Sequence, residues 1–451
     1  MALFILLAYT MPIDSPLIER IEYLQLRGLV DIPSIKPYDT EWIVGQVDDI
    51  LISEVDLNAI DKKIVSSFSP LLTKSPNFSY LFHIIGEYQN EPHLYYGALD
   101  ERIGGSLANN IRFSHAMRIR RANELDILGP NAWNDFQAYL TEGLVRYDND
   151  KIEFDLGRRN FLLGPGDVHG LLLSPDPQGY DGFLFNIPGQ YYEFYGMFSV
   201  LDAAQPKFLS VHRLGINLKG FLKIGFSEAI LSADSLEPLY LNIFLPFYLA
   251  QWGRDRDDNI MWSLDVQIHL FNSILYGELL IDDYMYENDP YPNKVAYQVG
   301  LKSLIWKMLL AKINYVKVDK WVYTHHEAQN TYERRGRCLG FYLGNDVDEL
   351  AFTVKYVNSF GLYPRMSVDY TRHGEGSIYI SYREEGGPTN PPFPSGTVDK
   401  TLNMRLGVDY NLVRNAYFTI DVGKIYRYNA DHVPGNDTNE FVIDLGFWAL
   451  F

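Results

Sequence analysis

Phe441-Val442-Ile443-Asp444-Leu445-Gly446-Phe447-Trp448-Ala449-Leu450-Phe451 carries an apolar residue at every odd position, from Phe441 and Ile443 through Leu445, Phe447 and Ala449 to Phe451. A period of two is a β-strand with one greasy face. A strand whose outer face meets lipid ends at the interface on an aromatic residue, as this one does at Phe451, so the stretch predicts a wall strand of a transmembrane barrel. The competing reading is the closing strand of a soluble sandwich.

The same alternation recurs upstream. In Met261–Leu270 the residues Trp262, Leu264, Val266, Ile268 and Leu270 fall on one face, and Ser263, Asp265, Gln267 and His269 on the other. Lys151–Arg158 repeats the pattern, with Ile152, Phe154 and Leu156 opposite Glu153 and Asp155 after an Asp148-Asn149-Asp150 turn. One face suits hydrocarbon and the other water, as in a barrel wall around a polar lumen. Connection lengths alternate as well. Reading back from Phe451, Tyr428–Glu440 is long, Asn411–Asn415 short, His373–Lys400 long, Phe360–Pro364 short and Tyr323–Glu349 long. Outer-membrane barrels have short periplasmic turns and long extracellular loops, which puts Phe451 on the periplasmic side. The roughly 370 residues from Tyr80 onward, at about 20 per strand and connection, predict an all-β antiparallel transmembrane barrel of about eighteen strands.

Composition agrees. The 451 residues include 33 Tyr, 26 Phe and 7 Trp, enough for aromatic girdles at two membrane interfaces. No run approaches the roughly 18 apolar residues of a spanning helix, so a helical membrane protein is excluded. A formal net charge of -18 repels nucleic acid. Cys338 is the only cysteine, which rules out an intramolecular disulfide and a multi-cysteine metal site.

Three segments follow from the change of period. Residues 1–12 begin on an apolar run without the basic leader of a full export signal, and read as a remnant signal or an N-terminal tail. Residues 13–75 have helical spacing and predict a small periplasmic bundle. Ser15-Pro16 opens a helix carrying Leu17, Ile21 and Leu24 and closing at Arg27-Gly28; Asp39 or Thr40 caps a second with Trp42, Ile43, Val47 and Ile50; Asp56 caps a third with Ile60, Ile64 and Phe68. Residues 76–451 make the barrel.

Asp155–Pro175 combines a Gly157-Arg158 strand end, a Gly164-Pro165-Gly166 turn and a Leu171-Leu172-Leu173-Ser174 run, and in this it resembles the Wzi family of capsule-assembly outer-membrane proteins. The leucine-rich string Leu17–Pro37 and the element Gly340–Asp346 are similar to parts of that family too. The resemblance implies an eighteen-stranded barrel behind a periplasmic helical bundle, acting without catalysis as a surface lectin that holds capsular or exopolysaccharide.

The chemistry-bearing residues fit that reading. His325-His326-Glu327 reads as a polar loop and not a metal site, because adjacent histidines on an extended chain point to opposite faces and the His-Glu-x-x-His spacing is absent. Gly164-Pro165-Gly166 lacks the Lys-Ser/Thr of a phosphate cradle and reads as a turn and bulge. Asp255, Asp257 and Asp258, and the pair Asp282 and Asp283, are solvated carboxylates by the usual rule, and Ser174 and Ser210 lack a nucleophile elbow, so no enzyme is expected. Arg118, Arg120, Arg158 and Arg159 are expected to face the lumen against Asp155, Glu153 or Asp265, as packing ion pairs or as a channel lining. Sugar recognition needs aromatic platforms beside carboxylates and amides. Three loops supply them: Trp252, Arg254 and Asp255; then Asp282, Asp283, Tyr284, Tyr286 and Tyr291; then Trp321, Tyr323, His325 and His326. The competing role for the aromatics is the interfacial girdle. The expectation is thus a polysaccharide binder in the bacterial outer membrane that needs no cofactor or metal. Its partners would be surface polymer, lipid and other capsule-export components, not nucleic acid. The alternative is a porin, whose acidity would favour cations.

Overall fold

Along Asn259–Leu270 the side chains sort as a period of two requires: Ser263 and Asp265 are 3% and 1% exposed, Leu264 and Leu270 both 46%. The polar face is the interior. The computed structural model describes residues 11–12, 14–53, 55–72, 78–90, 94–122, 133–149, 151–189, 191–218, 220–285, 290–413 and 415–450. The residues 1–10 expected to hold most of an export signal, together with Asp150, Tyr286 and Phe451, lie outside the described residues.

Eighteen strands form one antiparallel sheet in chain order, closed where Phe78–Gln89 pairs with Thr438–Leu450, Leu81 opposite Leu450 and Gln89 opposite Val442. A separate two-residue ribbon, Glu333–Arg334 with Arg337–Cys338, lies in a loop. Closure leaves no sheet edge unpaired, the condition for a wall in hydrocarbon. Outward residues such as Ile84, Leu264, Phe352, Phe441 and Leu445 are apolar and exposed. Connections 357–361 and 414–415 are short, and 319–346, 374–398 and 429–437 long, the alternation expected.

Helix α1 (Pro16–Leu26) starts where Ser15 Oγ accepts the Leu17 N–H at 3.3 Å, with Pro16 in the first turn. It stops at Gly28, whose φ of +70° is a left-handed conformation that glycine adopts without strain. Before α2 (Thr40–Ile52), Asp39 makes no side-chain cap bond; its carboxylate is drawn instead to Arg146 at 2.6 Å and Arg159 at 3.7 Å. The cap of α3 (Ala59–Ser66) is Asn58 and not Asp56. Asn58 Oδ1 accepts the N–H groups of Ile60 and Asp61 at 2.7 and 2.9 Å, and Asp61 accepts the Asn58 N–H at 3.2 Å. Asp56 stands two residues too early to reach that turn.

These helices do not form a freestanding bundle. Ile21, Leu24, Ile43, Val47, Ile64 and Phe68 share one apolar core with the wall residues Leu81, Ile274, Leu304, Leu310 and Trp448. Tyr23 Oη donates to Asp61 at 2.9 Å and lies 3.3 Å from the Lys307 carbonyl in the short turn 306–308, and Tyr417 Oη donates to the Ser67 carbonyl at 2.6 Å. The helices therefore stop the mouth at the short-turn end.

From the other end, residues 160–179 dip into the lumen. Leu162 exchanges two backbone hydrogen bonds with Lys36, at 2.9 and 3.2 Å, so the inward loop meets the segment joining α1 to α2. Glycine is required on the way down: a Cβ at Gly164 would stand 2.6 Å from Glu278 Oε2, and one at Gly166 2.2 Å from the His169 carbonyl. Leu171, Leu172 and Leu173 pack with Tyr323, Tyr332, Leu339 and Phe341 in a second apolar core inside the wall. Tyr323 and Tyr332 donate to the carbonyls of Leu171 and Leu172 at 2.6 and 2.9 Å.

Candidate functional site

Helix α1 carries carboxylates into the lumen, and the wall answers with lysines. Glu22 accepts hydrogen bonds from Lys36, Lys302 and Lys312 at 3.0, 3.2 and 2.8 Å. Asp167 of the inward loop pairs with Lys302, with Lys312 at 3.1 Å and with Lys36 at 3.6 Å. Burial and the charge of Asp167 push the Glu22 carboxyl upward, but the three lysines outweigh them and hold it at about 2. Lys355 extends the network, joined to Glu19 and, at 2.7 Å, to Asp409. Helix, loop and wall are thus clamped together at one place.

Above this floor lies a cavity of about 850 Å³, the size of a small-ligand pocket. It rises from Pro16 and Glu19 to Thr371 and Thr401, close to the long loops. Tyr342 is 46% exposed and lines it. One face of this ring stacks on His169 with centroids 4.3 Å apart, and its hydroxyl donates to Glu349 at 2.7 Å. Burial pushes His169 down to about 4, so the imidazole is neutral at pH 7 and presents a flat uncharged support. Glu349, Asp369, Thr371 and Asn403 line the same cavity with acceptors and hydroxyls. An aromatic face ringed by such groups can cover the C–H face of a sugar and bond its hydroxyls. Tyr342 was not among the residues anticipated, although it sits inside the Gly340–Asp346 element that carries the family resemblance.

The anticipated lumen charges divide. Arg118 forks onto Asp100 at 2.6 Å through two nitrogens, and Arg120 follows on the same strand face. Asp155 is the buried partner of Arg159 and of Arg146, the latter through bonds of 2.6 and 2.8 Å. Asp265 is held by Arg213, not by any of the four arginines anticipated. Arg158 is a correction: next to Arg159 on an extended strand it projects from the opposite face, where it forks onto the part-exposed Asp181.

The anticipated sugar-binding loops divide as well. Tyr323, Trp321 and Asp282 are buried and offer a ligand almost no surface. Tyr323 sits in the inner apolar core, its N–H donates to Asp282, and Trp321 Nε1 donates to Glu385 at 2.9 Å. Tyr291 and Trp321 do converge, each edge-on to Tyr382, with Arg383 over the Tyr291 ring at 5.3 Å. Tyr284 is exposed on the same loop as Tyr291. Trp252, Arg254 and Asp255 stand apart from them. Helix α4 (Ser69–Leu72) ends the N-terminal series, whereas the segment carrying Trp252 folds down the outside of the wall, where helix α5 (Phe247–Gly253) is held by Glu228, which accepts the N–H groups of Phe247 and Tyr248 at 2.7 and 2.9 Å. Trp252, Leu249 and Phe244 there continue the exposed apolar surface of the wall, and Arg254 lies 3.6 Å from Glu237. His325 and His326 are the second correction. Trp321 and Tyr323 take φ of +71° and +70°, which breaks the extended course of the chain just before the pair, and both rings come to lie beside Asp257.

No family model and no curated protein matches the sequence. Among solved structures, the chain shares its fold with Wzi of Escherichia coli, described as a carbohydrate-binding β-barrel of the outer membrane involved in group 1 capsule assembly. The identity is 14%, the match covers 99% of this chain and 99% of that one, and the TM-score is 0.70. The outer membrane protein OpdK of Pseudomonas aeruginosa matches at 9% identity over 83% of this chain and 99% of its own, with a TM-score of 0.50. OccAB4 of Acinetobacter baumannii matches at 11% identity over 84% of this chain and 99% of its own, with a TM-score of 0.49. At these identities the likeness establishes the fold, a closed eighteen-stranded antiparallel barrel with short N-terminal helices.

Proposed function

We propose that this chain is a non-catalytic, stoppered barrel of the outer membrane that binds surface polysaccharide, with its helices on the periplasmic side and its long loops outside. The apolar outer wall supports the membrane setting, and the contact between the inward loop and the helical plug at Leu162 and Lys36 weighs against a diffusion channel. The observation that carries the reading is the exposed Tyr342 ring in a polar chamber floored by α1. A chamber with a floor and a sugar-sized aromatic face is suited to holding one stretch of a chain, and repeated engagement along a repeating polymer adds up through multivalency. Wzi, described as carbohydrate-binding, shares the fold and lends the reading further support.

The test is retention of labelled polysaccharide by cells carrying Tyr342→Ala, alongside binding of purified oligosaccharide to the detergent-solubilised protein. The expected result is roughly tenfold weaker binding, about 1.4 kcal/mol, with unchanged barrel assembly. Wild-type retention in Tyr342→Ala and Asp369→Asn would defeat the proposal.

A further inference from the structure

Asp257, His325 and His326 come from two different long loops, 234–258 and 319–346. Their ligand atoms all lie within 4.8 Å of one another. His325 Nε2 is 3.6 Å from Asp257 Oδ1, and His326 Nε2 is 3.2 Å from Asp257 Oδ2, so each ring faces one oxygen of the carboxylate. Two ligands of a tetrahedral zinc ion, each bonded at about 2.0–2.1 Å, stand about 3.3 Å apart, so both edges are near the length such an ion would impose. The two imidazole rings lie with centroids 4.5 Å apart and a tilt of 34°. We propose that Asp257, His325 and His326 form a divalent transition-metal site of the zinc class, with one position open to water, that staples these two loops together.

The surroundings are built for it. A zinc-bound imidazole places its proton on the other nitrogen and donates it to an acceptor. His325 Nδ1 accepts the Glu327 N–H at 3.1 Å and lies 3.3 Å from the Glu327 carbonyl, to which a proton moved onto Nδ1 by an ion at Nε2 would be donated. Asp257 is 62% exposed at its side chain, which gives an ion a path in from solvent. Its backbone is nonetheless fixed: Asn330, buried in the second loop, donates to the Asp257 carbonyl at 3.1 Å and accepts from the N–H of Ala233 at 3.0 Å, while Asn259 donates to the Asn330 carbonyl at 2.9 Å. Lys294 beside the pair donates to the Thr324 carbonyl at 3.1 Å and is matched by Asp283 at 2.7 Å and Asp282 at 3.7 Å, so its charge is already compensated. Ion binding here replaces the direct Asp–His contacts.

The experiment uses the full chain in detergent, free of any polyhistidine tag and stripped with a chelator, titrated with Zn²⁺ alone against a competing indicator dye. One saturable equivalent with a dissociation constant in the micromolar range is expected. His326→Ala and Asp257→Asn should each weaken it by at least about tenfold, the usual loss when a metal site is incomplete. A second readout is cleavage of the 234–258 loop by protease, which Zn²⁺ should slow in the parent and not in the variants. Of the two residues replaced, Asp257 is exposed and His326 part-exposed, and heat-modifiable migration on gels verifies that the variants assemble. Absence of saturable binding below 100 µM, on the order of the weakest useful structural site, or identical binding in parent and both variants, would overturn the site and leave a simple Asp–His ion pair.

Discussion

Glu22 shows how a single residue can hold three parts of the molecule in register. It sits on α1, faces Lys302 and Lys312 of the wall, and shares Lys36 with Asp167 of the inward loop. Its folded-state value of about 2 lies below the ordinary 4.5, so the group adds stability that is fully present above about 4.5 and is lost as pH falls through about 2. Glu22→Gln is therefore expected to cost about 3 kcal/mol at neutral pH, since it leaves buried lysines short of a counter-charge. The denaturation midpoints of variant and parent should converge as the pH approaches 2; a gap that persists there would show that packing and not charge is responsible. His169 adds a slope of the same sign. Burial lowers it from 6.5 to about 4, so its neutral form stabilises the fold above 6.5 and that contribution fades as pH falls towards 4. Of the arginines expected in the lumen, Arg118 and Arg159 pair there with Asp100 and Asp155, whereas Arg158, next to Arg159 on an extended strand, points outward by the same alternation.

Among the elements, the segment 234–258 departs most from expectation. Its Trp252 and Arg254 looked like loop ligands because aromatics beside charges in a turn-rich stretch suit sugars and interfaces equally. The deciding contact is remote in sequence. Glu228 projects from the outer face of strand Leu222–Ala233, an unfavourable place for a carboxylate facing hydrocarbon, and the segment roofs it. Besides the two N–H groups that open α5, Glu228 accepts from Trp262 Nε1 at 3.1 Å and lies 3.0 Å from His212 Nε2. Glu228→Ala should release the roof at a cost of about 2–3 kcal/mol, the range for bonds to a charged acceptor. Limited proteolysis would register this as faster cleavage within 234–258, and an unchanged rate would mean that the aromatic contacts of Phe244 and Phe247 suffice. The helices show the reverse case: Ser15, Pro16 and Gly28 announced α1 correctly because caps and stops act over a few residues, whereas Asp39 looked like a cap and serves as a partner for Arg146 and Arg159.

For the whole molecule the question is whether anything passes through. The helices stop one mouth, residues 160–179 enter from the other, and the two meet by a pair of backbone hydrogen bonds. In planar bilayers the intact protein is expected to give no steady single-channel steps, and a variant lacking residues 14–72 to conduct because its short-turn mouth is unstopped. A steady conductance in the intact chain would return the porin reading. The sequence alone determined the wall: its alternation is written in a period of two, because each strand residue must satisfy either lipid or lumen wherever its neighbours lie, and its length and alternating loops bound the strand number to about eighteen. Only the tertiary structure decided what fills the wall. The chamber around Tyr342, the clamp at Glu22 and the convergence of Asp257 with His325 and His326 join residues from separate loops and helices. Such contacts depend on where closure of the sheet brings distant segments together, and local periodicity carries no record of that.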